Sequence, residues 1–238
     1  SSYGRAAALE LGERLAECGA AVISGMAAGI DSFGHWGAIK GGGRTYAVLG
    51  CGTDICYPRG GRELYEQIQA AGGLLSEYLP GTPPAAAQFP ARNRLISGLA
   101  DVIILIEAKE KSGSLITADF ALEQGKEIYA VPGRMDDALS YGCNELIRQG
   151  GGIVTSTEGL LLDLGFSSRK KGEKEEIAKK SLEKEELLVY SCFDLYPRNL
   201  EELVKLTKIS VPNLADVLIK LQTKGLIEEY FKNHYRKK

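Results

Sequence analysis

The run Arg92-Asn93-Arg94-Leu95-Ile96-Ser97-Gly98-Leu99 leads almost at once into Asp101-Val102-Ile103-Ile104-Leu105-Ile106-Glu107. The first run reads as a helix over 91–99. The second is a short apolar run bounded by two acids, and it reads as a strand over 101–106 covered on both faces. Ser112-Gly113-Ser114-Leu115-Ile116-Thr117 then opens a helix over 114–124, and residues 126–131 give the next strand. Helix, strand, helix, strand is the rhythm of a parallel sheet built from βα units.

The rhythm continues in both directions. Helices are expected over 5–19, 29–40, 61–71, 143–149 and 157–163, and strands over 20–24, 45–50, 73–77 and 152–155. Residues 78–90 hold four of the eight prolines and read as a loop. The expectation is an α/β domain over residues 1–165, with a mostly parallel sheet and helices on both faces. Residues 166–182 are polar and charged and read as a linker. Residues 183–238 form a second domain: a helix at 183–192, a helix at 199–206 capped by Asn199, a third helix at 210–221, and a hairpin from 225. That order is a winged helix-turn-helix, whose third helix would enter a DNA groove. Its expected exposed positions are Pro212, Asn213, Asp216, Lys220 and Lys224. They are weakly basic and include an acid, so DNA reading and protein contact both stay open.

Composition bounds the function. The formal net charge of −2 says nothing of nucleic acid by itself. Residues 1–165 carry 13 Lys and Arg against 19 Asp and Glu, and residues 166–238 carry 16 against 12. A phosphate site in the larger domain must therefore be local. The five cysteines include no Cys-x-x-Cys pair and are odd in number. Disulfide and zinc frameworks are disfavoured, and reduced thiols fit a cytoplasmic protein. Two histidines are too few for a histidine-rich metal site, so neither metal nor cofactor is expected. No apolar run approaches the ~20 residues of a membrane span. The opening Ser1-Ser2-Tyr3-Gly4 stands at the edge of a helix, which suggests residues before it.

Several motifs fall where strands end. Ser24-Gly25-Met26-Ala27-Ala28-Gly29-Ile30-Asp31 joins a strand to a helix with small residues, as a backbone phosphate cradle needs. The Gly-x-Gly-x-x-Gly spacing of a dinucleotide site is absent, and a βα loop needs glycine for turning alone. Asp31 could cap the helix, and with His35 one turn on could form a structural or a catalytic pair; no nucleophile is evident. Hydroxyls at Ser112, Ser114 and Thr117 exceed what one helix cap requires, which suits an anion. Arg92 and Arg94 point about 200° apart on a helix, so they cannot both grip one phosphate. One can hold ligand while the other pairs with an acid or a second phosphate. Phe89 is either a stacking surface for a base or an anchor of the loop. Cys143 reads as a buried small residue.

Together these segments closely resemble the DNA-processing protein family DprA, also called Smf. The matching stretches are Tyr3-Gly4, Ser24–Asp31 with His35, Ala47–Gly50 with Tyr57-Pro58, Ser76-Glu77, Phe89–Arg94, Ser112–Ala118, Ala130–Gly133 and Gly142–Ile147. The resemblance implies a Rossmann-like domain that binds single-stranded DNA, forms a homodimer and loads RecA recombinase onto incoming strands in natural transformation, without catalysing a reaction. It implies DNA or phosphate contacts at Ser24, Gly25, Phe89, Arg92, Asn93, Arg94, Ser112, Gly113, Ser114 and Thr117. Of the family motif Gly-Ser/Thr-Arg-x-x-Ser before Tyr-Gly, only the last serine is present, as Ser1. The first strand with its arginine, and the family's N-terminal helical extension, are therefore expected to be absent. Two rivals remain. Nucleotide-cleaving phosphoribohydrolases have a similar phosphate loop, although their Pro-Gly-Gly-x-Gly-Thr-x-x-Glu signature is missing. A protein-interaction scaffold would use the winged helix.

Overall fold

A computed structural model describes residues 1–166, 182–193, 198–231 and 233–237. The chain divides into two compact units, 1–168 and 169–238. The expected linker lies outside the described residues except for Phe166 and Leu182.

In the first unit the elements run α1 (Ser2–Glu17), β1 (Val22–Ser24), α2 (Ile30–Lys40), β2 (Thr45–Val48), α3 (Arg62–Ala71), β3 (Gly73–Leu75), α4 (Gln88–Leu99), β4 (Val102–Leu105), α5 (Gly113–Glu123), β5 (Glu127–Ala130), α6 (Tyr141–Arg148), β6 (Gly152–Ile153) and α7 (Thr157–Asp163). Every element read from the sequence is present. α1 starts three residues early and ends two early, and α4 begins inside the expected proline loop. Pro90 is its third residue. A first-turn amide has no intrahelical acceptor, so proline costs nothing there.

The strands pair in parallel, but as two three-stranded sheets, β1-β2-β3 and β4-β5-β6. The expected single sheet is thus interrupted between β1 and β4, and the unpaired edges of both strands line one groove. Parallel pairing gathers the loops after β1, β2 and β4 at the same, C-terminal, edge. Each half-sheet has its own apolar core. Ala47, Leu49, Leu64 and Ile68 fill the first, and Ile103, Leu105, Ala118, Ile128 and Cys143 the second. Helices α1 and α2 meet backbone to backbone. A Cβ on Gly12 would lie 2.4 Å from the Gly34 carbonyl oxygen, and one on Gly37 would lie 2.3 Å from that of Leu9.

The second unit contains α8 (Lys184–Ser191), β7 (Arg198–Asn199), α9 (Leu200–Thr207), α10 (Val211–Thr223), β8 (Ile227–Phe231) and β9 (His234–Lys237). The strands form an antiparallel sheet in the order β7-β9-β8. The three helices and the hairpin come in the order read from the sequence, and the two-residue strand β7 is an addition to it. Asn199 caps α9 as expected, accepting from the Glu202 amide at 2.8 Å while Glu202 accepts from the Asn199 amide. Leu203, Leu214, Leu218, Leu221 and Ile227 make its core.

Candidate functional site

The groove between the half-sheets has a volume of about 1280 Å³. Its floor is apolar, from Leu11, Ile23, Ile104 and Ile106. Its mouth lies at the C-terminal ends of the strands, where Ser24, Gly25, Phe89, Arg92, Asn93, Gly113, Ser114 and Thr117 all line it. Arg94 and Ser112 stand outside the lining. Open α/β sheets take ligands at this edge, where the strand order reverses.

Arg92 and Arg94 have different surroundings. Arg92 is only 6% exposed. Its Nη1 donates to the Gly25 carbonyl at 3.0 Å and to the Val48 carbonyl. Its Nε donates to Asn93 Oδ1 at 3.3 Å. The guanidinium therefore ties together the ends of two adjacent strands. Burial pulls its pKa down, and nearby Asp31 opposes the shift. A Cβ on Gly25 would lie 2.5 Å from the guanidinium, so the close approach requires glycine. Arg94 is half-exposed and pairs with half-exposed Glu77. An exposed pair of this kind contributes ~0–1 kcal/mol.

Asn93 links α4 to the next helix: its Nδ2 donates to the Gly113 carbonyl at 3.2 Å. Ser112 stands at the N-cap of α5, yet its side chain caps nothing. Its hydroxyl instead meets that of Ser114 at 2.8 Å. Among the described residues the first amides of α5 are thus left without a side-chain acceptor, beside the mouth of the groove. A helix N-terminus in that state attracts an anion. Phe89 is half-buried at the start of α4, with Tyr57 stacked on it at 5.4 Å and Arg92 5.9 Å from its centroid.

Asp31 does not cap α2, whose N-cap is Gly29 at φ 105°, a conformation that favours glycine. It folds back and accepts from the Gly25 and Ala27 amides at 3.0 and 3.2 Å, which fixes the loop after β1. His35 makes no hydrogen bond to it. Fully buried His35 meets Thr45 Oγ1 through Nδ1 at 2.6 Å, and Thr45 donates to the Val22 carbonyl. The threonine proton is thereby used, so Nδ1 carries the histidine proton and Nε2 is a buried acceptor without a partner among the described residues. Burial lowers the His35 pKa to about 4. Cys143 is also fully buried, which pushes its thiol up to about 11. Among the described residues no cluster of His, Cys, Asp and Glu could hold a metal, and no helix is long and apolar enough to cross a membrane.

The family model for DNA recombination-mediator protein A matches residues 1–165. The chain belongs to that family. All ten candidate residues lie inside the span shared with the recombination mediators, and the second unit lies outside it. DNA processing protein DprA of Streptococcus pneumoniae is 45% identical over 145 residues, 61% of this chain and 51% of that protein. DNA processing protein DprA of Bacillus subtilis is 42% identical over 164 residues, 69% of this chain and 55% of the other. The chain spans about half the length of these curated relatives. DNA processing protein A of Helicobacter pylori, solved for its single-stranded DNA binding mode, superposes with a TM-score of 0.64. It is 30% identical, and the match covers 69% of this chain and 74% of that one.

Sequence reasoning assigned no role in the site to three groups that take part in the arrangement. They are Tyr57 at the mouth, Glu77 against Arg94, and the Val48 carbonyl under Arg92. Each meets its partner across the fold, and no local pattern marks such a contact.

Proposed function

We propose that the first unit binds single-stranded DNA at the C-terminal mouth of the groove. The observation that carries this reading is the uncapped start of α5, tied through Asn93 to the helix that carries Phe89. An uncapped helix start suits a phosphate, and the stacked Phe89–Tyr57 pair at the same mouth suits an unpaired base. Arg94 supplies the charge, because exchanging exposed Glu77 for a phosphate costs little. Arg92 shapes the wall that presents Phe89. Five carboxylates also line the groove: Asp31 is occupied by backbone amides and Glu107 by the Ser1 hydroxyl, Asp101 and Glu127 stand at the N-terminal ends of β4 and β5, opposite the mouth, and Asp163 lies at the end of α7. The mechanism is binding without catalysis: His35 and Cys143 are both sealed in the core.

The relatives' names and the family description extend this reading to DNA processing and recombination, and we place that work in natural transformation. Within it the partners are single-stranded DNA, the RecA recombinase and a second copy of the chain, and five free cysteines suit work in the cytoplasm. A gel shift tests the core claim. The chain should retard a single-stranded oligonucleotide in preference to the duplex, with affinity falling steeply as salt rises. Equal affinity for both, or release of base from nucleoside monophosphates, would sink it.

A further inference from the structure

We propose that Tyr57 is a second base-stacking residue, whose ligand is an unpaired nucleobase next to the phosphate held at α5. The proposal rests on the reading of the groove as a single-strand site. The Tyr57 and Phe89 rings lie within 25° of parallel with centroids 5.4 Å apart. Phe89 is fixed from behind: a Cβ on Gly50 would stand 2.8 Å from its Cδ1, and Arg92 lies against it. Tyr57 lines the groove and remains 43% exposed. Its hydroxyl makes no hydrogen bond among the described residues, so the polar tip does not explain its position.

The loop carrying Tyr57 is set in advance. The Gly52 amide donates to the Thr82 carbonyl at 2.9 Å, the Ile55 amide to the Gly52 carbonyl at 3.0 Å, and the Tyr65 hydroxyl to the Thr53 carbonyl at 2.5 Å. A ring held still by its loop and backed by a second ring loses little freedom when a base settles on it. Stacked base pairs cover one another's faces inside a duplex, whereas a single strand can turn a face outward. Every base has such a face, so the contact distinguishes single strands from duplex without reading sequence.

The test is fluorescence anisotropy with a labelled oligothymidylate and a matched strand carrying abasic sites. Tyr57→Ala and Tyr57→Leu should each weaken oligothymidylate binding about tenfold, with the salt slope unchanged and Tyr57→Phe within about twofold. The leucine keeps Phe89 covered, so its loss reports the missing aromatic face and not an unfolded loop. On the abasic strand the variants and the unaltered chain should bind alike. Full affinity in both the alanine and leucine variants, or an equal loss on the abasic strand, overturns the stacking role and leaves the groove reading standing. Failure of the unaltered chain to bind any single strand overturns both.

Discussion

The two arginines separated by Asn93 should behave oppositely when each is replaced. Arg92→Ala leaves the Gly25 and Val48 carbonyls without their buried donor. It should lower the unfolding free energy by about 3 kcal/mol, read by urea denaturation. Arg94→Ala removes only an exposed ion pair and should cost under about 1 kcal/mol, while weakening single-strand binding and flattening its salt slope. Equal stability losses would mean that the buried clamp is not what holds the strand ends together. His35 gives a pH signature. Its folded pKa, about 4, lies below the ordinary 6.5, so the native state excludes a proton that the unfolded chain accepts. Stability is therefore full above pH 6.5 and falls as the pH drops toward 4, by up to about 3 kcal/mol. His35→Gln should flatten the curve between pH 6.5 and 4.5, above the range where carboxylates titrate; an unchanged slope would refute the assignment.

The elements themselves were legible because each carries its own period. Short apolar runs such as Val102–Leu105, too brief for a helix and flanked by Asp101 and Glu107, read as buried strands, and the hydroxyls and glycines after the strands mark the edge where ligands gather. Contacts made by backbone across the fold left no such trace. Gly12 and Gly37 look like weak points in their helices, but in the structure they are the seam where α1 and α2 touch. Pro90 misled for the opposite reason: its local rule is a strong one, and the first turn of a helix is where that rule is suspended. At the seam, Gly37→Ala should force the Leu9 backbone away and cost about 1–3 kcal/mol, although alanine is the better helix former. Thermal unfolding checks this; a stabilised variant would show that the helices can separate freely.

For the molecule as a whole, the basic surplus lies in residues 166–238 while the proposed site lies in residues 1–168. A DNA-reading third helix needs free positive charge on its outer face. In α10 that charge is largely engaged: Lys224 Nζ lies 2.6 Å from buried Glu186, Lys220 Nζ stands 3.8 Å from Glu183, and Asp216 is exposed beside them. The first unit has its own cores and contains all ten candidate residues. Residues 1–168 alone should therefore bind a single strand within about threefold of the whole chain and with the same salt slope, because each lost phosphate contact would lower that slope by about 0.7. A tenfold loss with a shallower slope would show that the second unit holds phosphates after all. Two variants of the whole chain then locate them. Loss in Lys220→Ala would place the contact on α10, and loss in an Arg169→Ala, Lys170→Ala, Lys171→Ala triple variant would place it in the charged segment that precedes the helices.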